Sequence, residues 1–288
     1  MAVGMAVVAA DLAVLVAQAG GAGAVQPAAQ ARTHRAAEAR PVTPVRHPRH
    51  APRVMWVRAD VATVWKHPRV VRRVDRPATT AKPDIHRWLS RQSVAAREQL
   101  VGRVLTQTLR GERLTVLHRA GAWTRVRIGD QRGSYFRTGI PGWVPTRQLS
   151  ARPVHDAVLT TTVRIRTGAS VTRIARGFLG TPYLWGGMSR AGIDCSGLTY
   201  RVFRAMGLVL PRDAADQSRL GRAVPRRGLQ RGDLVFFGPH GRSSIHHVGI
   251  YAGRGLVLHA PHTGAQVRLT PLRAWSDYWG ARRLVHTH

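Results

Sequence analysis

A single cysteine, Cys195, stands among 288 residues, so no intramolecular disulfide can hold this chain together. A lone thiol serves either as an inert core residue or as a nucleophile. Its neighbours Asp194 and Ser196 are poor core residues, which favours the second use. His247 and His259 follow it, each inside an apolar run typical of a β-strand. One cysteine followed by two such histidines is the pattern of a thiol hydrolase.

The charge of the chain is extreme, with a formal net charge of +31. Lysine occurs only at Lys66 and Lys82, so nearly all the basic residues are arginines. Such a surface attracts polyanions, and nucleic acid, anionic lipid and anionic cell-wall polymers all fit. The arginines are spread along the chain rather than set in one stripe with aromatic residues. This distribution favours a general basic surface over a specific nucleic-acid groove.

The amino-terminal segment is apolar and rich in small residues, and residues 1–30 are interpreted as a signal peptide. Two features are atypical: no basic residue precedes the apolar run, and Asp11 lies inside it. Residues 31–53 are rich in Pro, Ala, Arg and His without periodicity, which predicts a disordered basic linker. No other stretch is long and apolar enough to span a membrane. We expect a secreted or wall-associated protein, with a cytoplasmic recycling role as the alternative.

Residues 54–150 carry the signals of short strands separated by glycine-rich loops, which predict a small β-barrel. A turn at Ala120-Gly121 separates the runs Leu114–Leu117 and Trp123–Ile128, and Gly142–Pro145 forms a further strand. An insertion with helical character, Ile85–Val104, interrupts the pattern. The region resembles the SH3 domains of bacterial cell-wall enzymes.

Residues 151–169 are interpreted as a connector with one strand, at 157–165, and residues 170–288 as the catalytic domain. Ser170 is the expected N-cap of a helix that ends at Gly180. A second helix runs to Gly207 and begins near Cys195, where the helix dipole would lower the pKa of the thiol.

Three strands are expected after these helices: Leu234–Phe237, His247–Tyr251 and 255–260. A hairpin joins the last two, so both histidines can face the cysteine helix. His247 could then take the thiol proton while His259 orients its imidazole.

At this point residues 170–283 resemble the NlpC/P60 family of cell-wall cysteine peptidases. The resemblance implies an α+β fold with a papain-like catalytic domain, here preceded by the small SH3-like barrel. It also implies hydrolysis of peptidoglycan stem peptides, usually between D-γ-glutamate and a diamino acid such as diaminopimelate. The matching motifs are Pro182-Tyr183-Leu184-Trp185-Gly186-Gly187, Asp194-Cys195-Ser196-Gly197-Leu198, Leu210-Pro211-Arg212, Gln217, Gly232–Phe237, His247–Tyr251 and His259-Ala260-Pro261.

The resemblance assigns the site residues. Cys195 is the nucleophile, His247 the general base and His259 the third polar member. Tyr183 matches a tyrosine near the oxyanion, and Asp194 and Ser196 match positions that bind polar groups of the substrate, the acidic one holding a free amine.

Other positions are carried over with less direct roles. Arg212 and Gln217 match structural positions, and His246 is interpreted as loop. Ala214 stands where relatives often have serine. Glu112 is the acidic candidate for amine recognition from the SH3-like domain.

Three alternatives remain beside a peptidase. The chain could be a non-catalytic protein that binds cell wall or polyanions, or a related thiol acyl hydrolase or amidase. A structural zinc site at Cys195, His247 and His259 fits the ligand types but lacks paired ligand spacing. No cofactor and no metal are predicted. The expected partners are peptidoglycan or murein peptides and anionic cell-wall polymers, without specific nucleic acid, and the chain is expected to be a monomer.

Overall fold

The computed structural model describes residues 53–155, 167–239 and 245–285. All of them lie within one compact unit, Arg49–His288. The predicted signal peptide (1–30), the linker up to residue 52 and the strand at 157–165 fall outside the described residues. Among the helices of the described ranges, none is long and apolar enough to cross a bilayer.

The first described range is rich in sheet, as the sequence predicts. Its strands form an antiparallel sheet in the order β3-β2-β6-β5-β4-β1-β7. They are β1 (Val54–Val57), β2 (Val61–Trp65), β3 (Val104–Leu109), β4 (Arg113–Ala120), β5 (Trp123–Ile128), β6 (Ile140–Pro145) and β7 (Leu149–Ser150).

Alternating burial builds the core of this sheet. Leu114 of β4, Val126 of β5 and Val144 of β6 are fully buried in one apolar cluster. Gly121 has a φ of 54°, a backbone conformation that glycine adopts without strain, and it closes the predicted turn between β4 and β5. The strands predicted at 123–128 and 142–145 are confirmed.

The predicted helical insertion lies between β2 and β3. It is longer than the predicted Ile85–Val104, because α1 (Arg76–Thr79) precedes α2 (Ile85–Ser90) and α3 (Val94–Glu98). The side chain of Trp88 is fully buried, and its Nε1 donates to Asp75 Oδ1 at 2.9 Å. Arg72 pairs with the same carboxylate at 2.9 Å, so the buried charge that anchors the insertion is neutralised.

The second half combines helices with an antiparallel sheet in the order β10-β15-β11-β12-β13-β14. The helices are α4 (Gly168–Arg176), α5 (Cys195–Arg204) and α6 (Ala214–Gln217). The strands are β8 (Met188–Ser189) and β9 (Gly192–Ile193), which form a separate hairpin, then β10 (Arg222–Val224), β11 (Leu234–Phe237), β12 (His247–Gly253), β13 (Leu256–His259), β14 (Arg268–Pro271) and β15 (Tyr278–Arg283).

Packing between α5 and the sheet fixes the place of Cys195. Leu198 and Val202 on α5 share an apolar cluster with Val248 and Ile250 on β12. All four side chains are fully buried. The first turn of α5 therefore lies against the start of β12.

Helix α4 differs from the prediction at both ends. It begins at Gly168, and its cap is Thr167, whose side chain accepts from the Ser170 N–H at 3.2 Å. A Cβ at Gly168 would lie 1.8 Å from the Arg231 carbonyl oxygen, so only glycine fits this close approach. The helix ends at Arg176 rather than near Gly180.

Candidate active site

Cys195 is the first residue of α5, so the predicted position of the cysteine at the N-terminus of this helix is confirmed. Asp194 is the N-cap, and its Oδ1 accepts from the Gly197 N–H at 2.6 Å. The backbone N–H groups of the first helical turn have no partners within the helix. The cysteine, which is buried, thus lies among polar N–H groups despite its apolar surroundings.

The two predicted histidines are brought together by the predicted hairpin. His247 begins β12 and His259 ends β13, and these strands pair antiparallel. His247 Nε2 and His259 Nδ1 lie 2.8 Å apart, a hydrogen bond between two buried rings. His259 Nε2 in turn lies 2.9 Å from Thr270 Oγ1 on β14. The result is a chain of three side chains on three neighbouring strands.

An aromatic side chain packs on this pair from one side. The ring of Trp275 meets His259 edge-on, with 5.0 Å between centroids, and stacks on Phe237 at 4.5 Å. Phe237 also contacts His247, at 5.8 Å. Both imidazoles are therefore held in a largely apolar wall.

Burial makes the resting state of the site electrically neutral. It raises the pKa of the Cys195 thiol to about 12, with the Asp194 charge adding to the rise and the backbone N–H of Val248 opposing it. Burial also lowers the pKa of His247 to about 3 and that of His259 to about 4. The Ser196 N–H at the helix terminus lowers the thiol pKa as expected, but the net shift is upward because desolvation is the larger effect.

Tyr183 lies beside the thiol, in the loop where the sequence places it. Its backbone N–H donates to the Ala265 carbonyl at 2.9 Å, and it bridges to Ile193 just before the cysteine helix. Burial, followed by the neighbouring Cys195 and Asp194 charges, raises the pKa of its hydroxyl well above the usual value. The hydroxyl therefore stays protonated and remains a hydrogen-bond donor.

Asp194 and Ser196 are both engaged by Arg212, which is only 3% exposed. Arg212 donates to both carboxylate oxygens of Asp194, at 3.1 and 2.6 Å, and to Ser196 Oγ at 2.8 Å. The Gly186 N–H also donates to Asp194, at 2.8 Å. Asp194 is thus occupied by groups of the protein itself.

Arg212 also links the site to the first sheet. Its Nε donates to Thr106 Oγ1 on β3 at 3.0 Å, and its backbone N–H donates to the Arg132 carbonyl at 2.8 Å. The structural position predicted for Arg212 is consistent with these bonds. Gln217 bonds to Thr199 Oγ1 and to the Ser196 carbonyl, beneath the same helix.

Glu112 lies elsewhere in the structure. Its buried carboxylate accepts from Thr108 Oγ1 and the Leu109 N–H in the turn before β4, and it faces Arg204 at 3.8 Å. Arg204 is the last residue of α5, about 14 Å along the helix from Cys195. The carboxylate is engaged in this turn and is not brought to the thiol. His246, the predicted loop residue, is exposed and pairs with Asp277 at 2.9 Å.

Asp213 is a further candidate residue near the site, and the sequence reasoning missed it. The residue is exposed and caps α6 without a side-chain cap hydrogen bond, but burial of the carboxyl group raises its pKa, while the Arg212 charge lowers it and the Asp194 charge raises it. The sequence could have indicated Asp213 through its position directly after the motif Leu210-Pro211-Arg212. In the described ranges, no group of three or more His, Cys, Asp or Glu side chains could hold a metal ion.

Comparisons with known proteins show which family the chain resembles. The profile described as the NlpC/P60 family matches residues 180–287, which hold the thiol, both histidines and Tyr183. A γ-D-glutamyl-L-lysine dipeptidyl-peptidase of Bacillus subtilis is 30% identical over 271 residues, covering 74% of this chain and 91% of the relative. The enzyme of the same name from Bacillus cereus is 29% identical, covering 80% and 90%.

A third relative matches over a shorter range, and one solved structure matches over most of the chain. The murein DD-endopeptidase MepH of Escherichia coli is 42% identical over 116 residues, which is 37% of this chain and 42% of the relative. The crystal structure of an NlpC/P60 family protein from Bacillus cereus has a TM-score of 0.73 at 26% identity, covering 80% of this chain and 99% of that one.

Proposed function

The chain belongs to the NlpC/P60 family and is a cysteine peptidase, and we propose that it hydrolyses peptidoglycan stem peptides through Cys195, His247 and His259. The observation that carries the proposal is the hydrogen bond between the two histidines, because His247 directly precedes Val248, whose backbone N–H bonds to the chain's single cysteine. The names of the relatives, peptidases acting on γ-D-glutamyl-L-lysine and on murein, support the substrate class.

The reaction starts from an uncharged pair. His247 Nε2 is bonded to His259, so Nδ1 is the nitrogen that takes the thiol proton while the sulfur attacks the scissile carbonyl carbon. The C–N bond of the tetrahedral intermediate then breaks, and the imidazolium gives its proton to the leaving amine. The thioester left on Cys195 is hydrolysed by water, with His247 again acting as the base.

Two donors are suited to the developing oxyanion. The Cys195 backbone N–H at the start of α5 is the first, and the protonated hydroxyl of Tyr183 is the second. Because both lie in a buried site, each hydrogen bond is stronger than it would be in water. His259 keeps the His247 ring in the productive tautomer and orientation, and Thr270 does the same for His259.

The bond cleaved is proposed from the relatives' names and from the carboxylate of Asp213. A dipeptidyl-peptidase cleaves after the second residue from a free N-terminus. Its site therefore needs a hydrogen-bond acceptor for the terminal ammonium group. Asp194 is occupied by Arg212, so the exposed carboxylate of Asp213 is the better partner for that amine. We therefore place the scissile bond between D-γ-glutamate and the diamino acid, diaminopimelate or lysine, of a peptide with a free N-terminus.

The sheet of β1 to β7 is proposed to be the SH3-like domain that supports this site. Trp185 Nε1 donates to the Val104 carbonyl at 3.2 Å, and the Met188 N–H donates to Gln107 Oε1 at 3.0 Å. These bonds tie β3 to the loop that carries Tyr183. A secreted or wall-associated location fits a peptidoglycan substrate.

Mass spectrometry of stem peptides and of purified peptidoglycan after incubation tests the proposal. We expect a free L-Ala-γ-D-Glu dipeptide from peptides with an open N-terminus, and no product with Cys195→Ala. N-acetylated peptide and the Asp213→Asn variant should both react slowly, whereas Asp277→Asn, which alters a carboxylate at His246, serves as the control. Intact peptides with folded wild-type protein would refute the proposed substrate.

A further inference from the structure

A strongly basic cavity lies on the helical insertion, outside the peptidase site. It measures about 1010 Å³ and lies between the segments of α1 and α2. Its basic side chains are exposed, and the one acidic side chain, Asp84, accepts a hydrogen bond from the first turn of α2. The basic residues are Arg73, Arg76, Lys82, Arg87 and Arg91.

None of these five side chains takes part in an ion pair within the described residues. By contrast, Arg72 next to them is neutralised by Asp75 at 2.9 Å. Unpaired like charges around one concavity repel each other, and a bound polyanion relieves that repulsion. The insertion thus has buried charge that is paired for stability and exposed charge that is left free.

A second cavity, of about 530 Å³, shares Asp84 and Arg87 with the first. It extends to Pro182, directly before Tyr183, and to the loop of Gly264. Arg97 lines it with a buried Nε that has no hydrogen-bond partner among the residues that the structure describes. The basic surface therefore continues from the insertion toward the peptidase site. Arg97 Nε in this surface can donate a hydrogen bond to a bound ligand.

The shape and lining of the first cavity select among polyanions. Its volume exceeds the need of a single phosphate group and suits several repeating groups. None of the described residues that line it is aromatic, whereas sites for single-stranded nucleic acid use aromatic rings to stack bases. We propose that these cavities bind a linear polymer of phosphate groups without bases. If the proposed function holds, that polymer is an anionic component of the wall that holds the enzyme near its substrate.

The test is binding of inorganic polyphosphate to the full chain at several salt concentrations. The variant R73Q/R76Q/R91Q neutralises the first cavity, and R222Q/R227Q/R273Q removes the same charge from exposed arginines outside it. We expect the cavity variant to lose about tenfold or more in affinity, and the control variant less than about threefold. In the cavity variant, the slope of log affinity against log salt concentration should fall in magnitude by about 3.

Equal losses in the two triple variants would overturn the proposal, because they would show diffuse attraction by the whole surface. Tighter binding of a single-stranded oligonucleotide with the same number of phosphates, also lost in the cavity variant, would overturn the choice of a base-free polymer. Should the triple variant unfold, the single changes Arg73→Gln and Arg91→Gln should each lower the slope by about 1. Cys195→Ala should bind polyphosphate normally, so a failure of the peptidase proposal would be distinct.

Discussion

His247 and His259 lie on adjacent strands, and their rings share a hydrogen bond of 2.8 Å from Nε2 to Nδ1. Both rings are buried and both pKa values are lowered, so neither carries a charge at neutral pH. The pair therefore orients a neutral base rather than stabilising a resting ion pair with the thiol.

Removing the second histidine should lower turnover and leave substrate binding nearly intact. We expect His259→Ala to reduce kcat by about 100-fold, because His247 loses the partner that fixes its tautomer and orientation. KM for stem peptides should change little. His246→Ala, an exposed histidine beside the base, is the matched control and should keep full activity. A comparable loss in that control would refute the assignment of the base and its partner.

Thr270 should act as a positioning residue through His259. Thr270→Val keeps the shape of the side chain but removes the acceptor or donor 2.9 Å from His259 Nε2. We expect a three- to tenfold fall in kcat, about 1 kcal/mol, with KM unchanged. Thr270→Ser should restore activity. A rise in KM with unchanged kcat would instead indicate a role in binding substrate.

The thiol should react slowly in the absence of substrate. With a pKa of about 12, Cys195 carries about a thousandfold less thiolate at pH 8 than an ordinary cysteine. Labelling by iodoacetamide should be slow up to pH 9 and fast after unfolding in guanidinium. The chain's single cysteine makes the stoichiometry unambiguous. Rapid labelling with an inflection below pH 7 would indicate a thiolate–imidazolium pair and contradict the neutral resting state.

Acid should destabilise the fold through the same histidines. Their pKa values are about 3 and 4 in the folded protein and about 6.5 in the unfolded chain. The unfolded state therefore binds more protons below about pH 6.5, and stability falls as the pH drops from there toward 4. Each histidine contributes up to about 1.4 kcal/mol per pH unit. Urea unfolding between pH 7 and 5 measures this slope, which should be smaller in His247→Gln/His259→Gln. An unchanged slope would contradict the neutral pair.

The buried pair of Arg212 and Asp194 should be essential for stability. Arg212→Met leaves the Asp194 carboxylate buried without its main partner, which costs about 3–5 kcal/mol. Thr106→Val removes only one acceptor of Arg212 and should cost about 1 kcal/mol. Thermal unfolding measures both, with the exposed Arg219→Met as the control. A loss in Arg212→Met no greater than in that control would refute the structural role.

Most of the strands and the cysteine helix could be predicted because their signals are local. The apolar run at Leu234–Phe237 and the turn before Leu256 indicate strands without any knowledge of tertiary contacts. The start of α4 could not be predicted, since it depends on the close approach of Gly168 to the Arg231 carbonyl. Thiol acidity was also out of reach, because helix position is visible in sequence whereas desolvation is not.

The same limit applies to the acidic residues. In the sequence, Asp194, Asp213 and Glu112 are all acidic candidates. Only tertiary contacts show that Asp194 and Glu112 are engaged by the protein, whereas Asp213 is exposed. The roles assigned to the site residues by resemblance stay predictions that the experiments above address.

The bond from Arg212 to Thr106 has a consequence for how this enzyme can be divided. One guanidinium group serves two parts of the chain, holding the cap of the cysteine helix while it grips a strand of the first sheet. A fragment that begins after residue 151 would retain every proposed reacting group. In it, however, the Arg212 side chain would be exposed and would lack its hydrogen bond to Thr106. We therefore expect the first sheet to stabilise the cap of the cysteine helix, in addition to carrying the basic cavity.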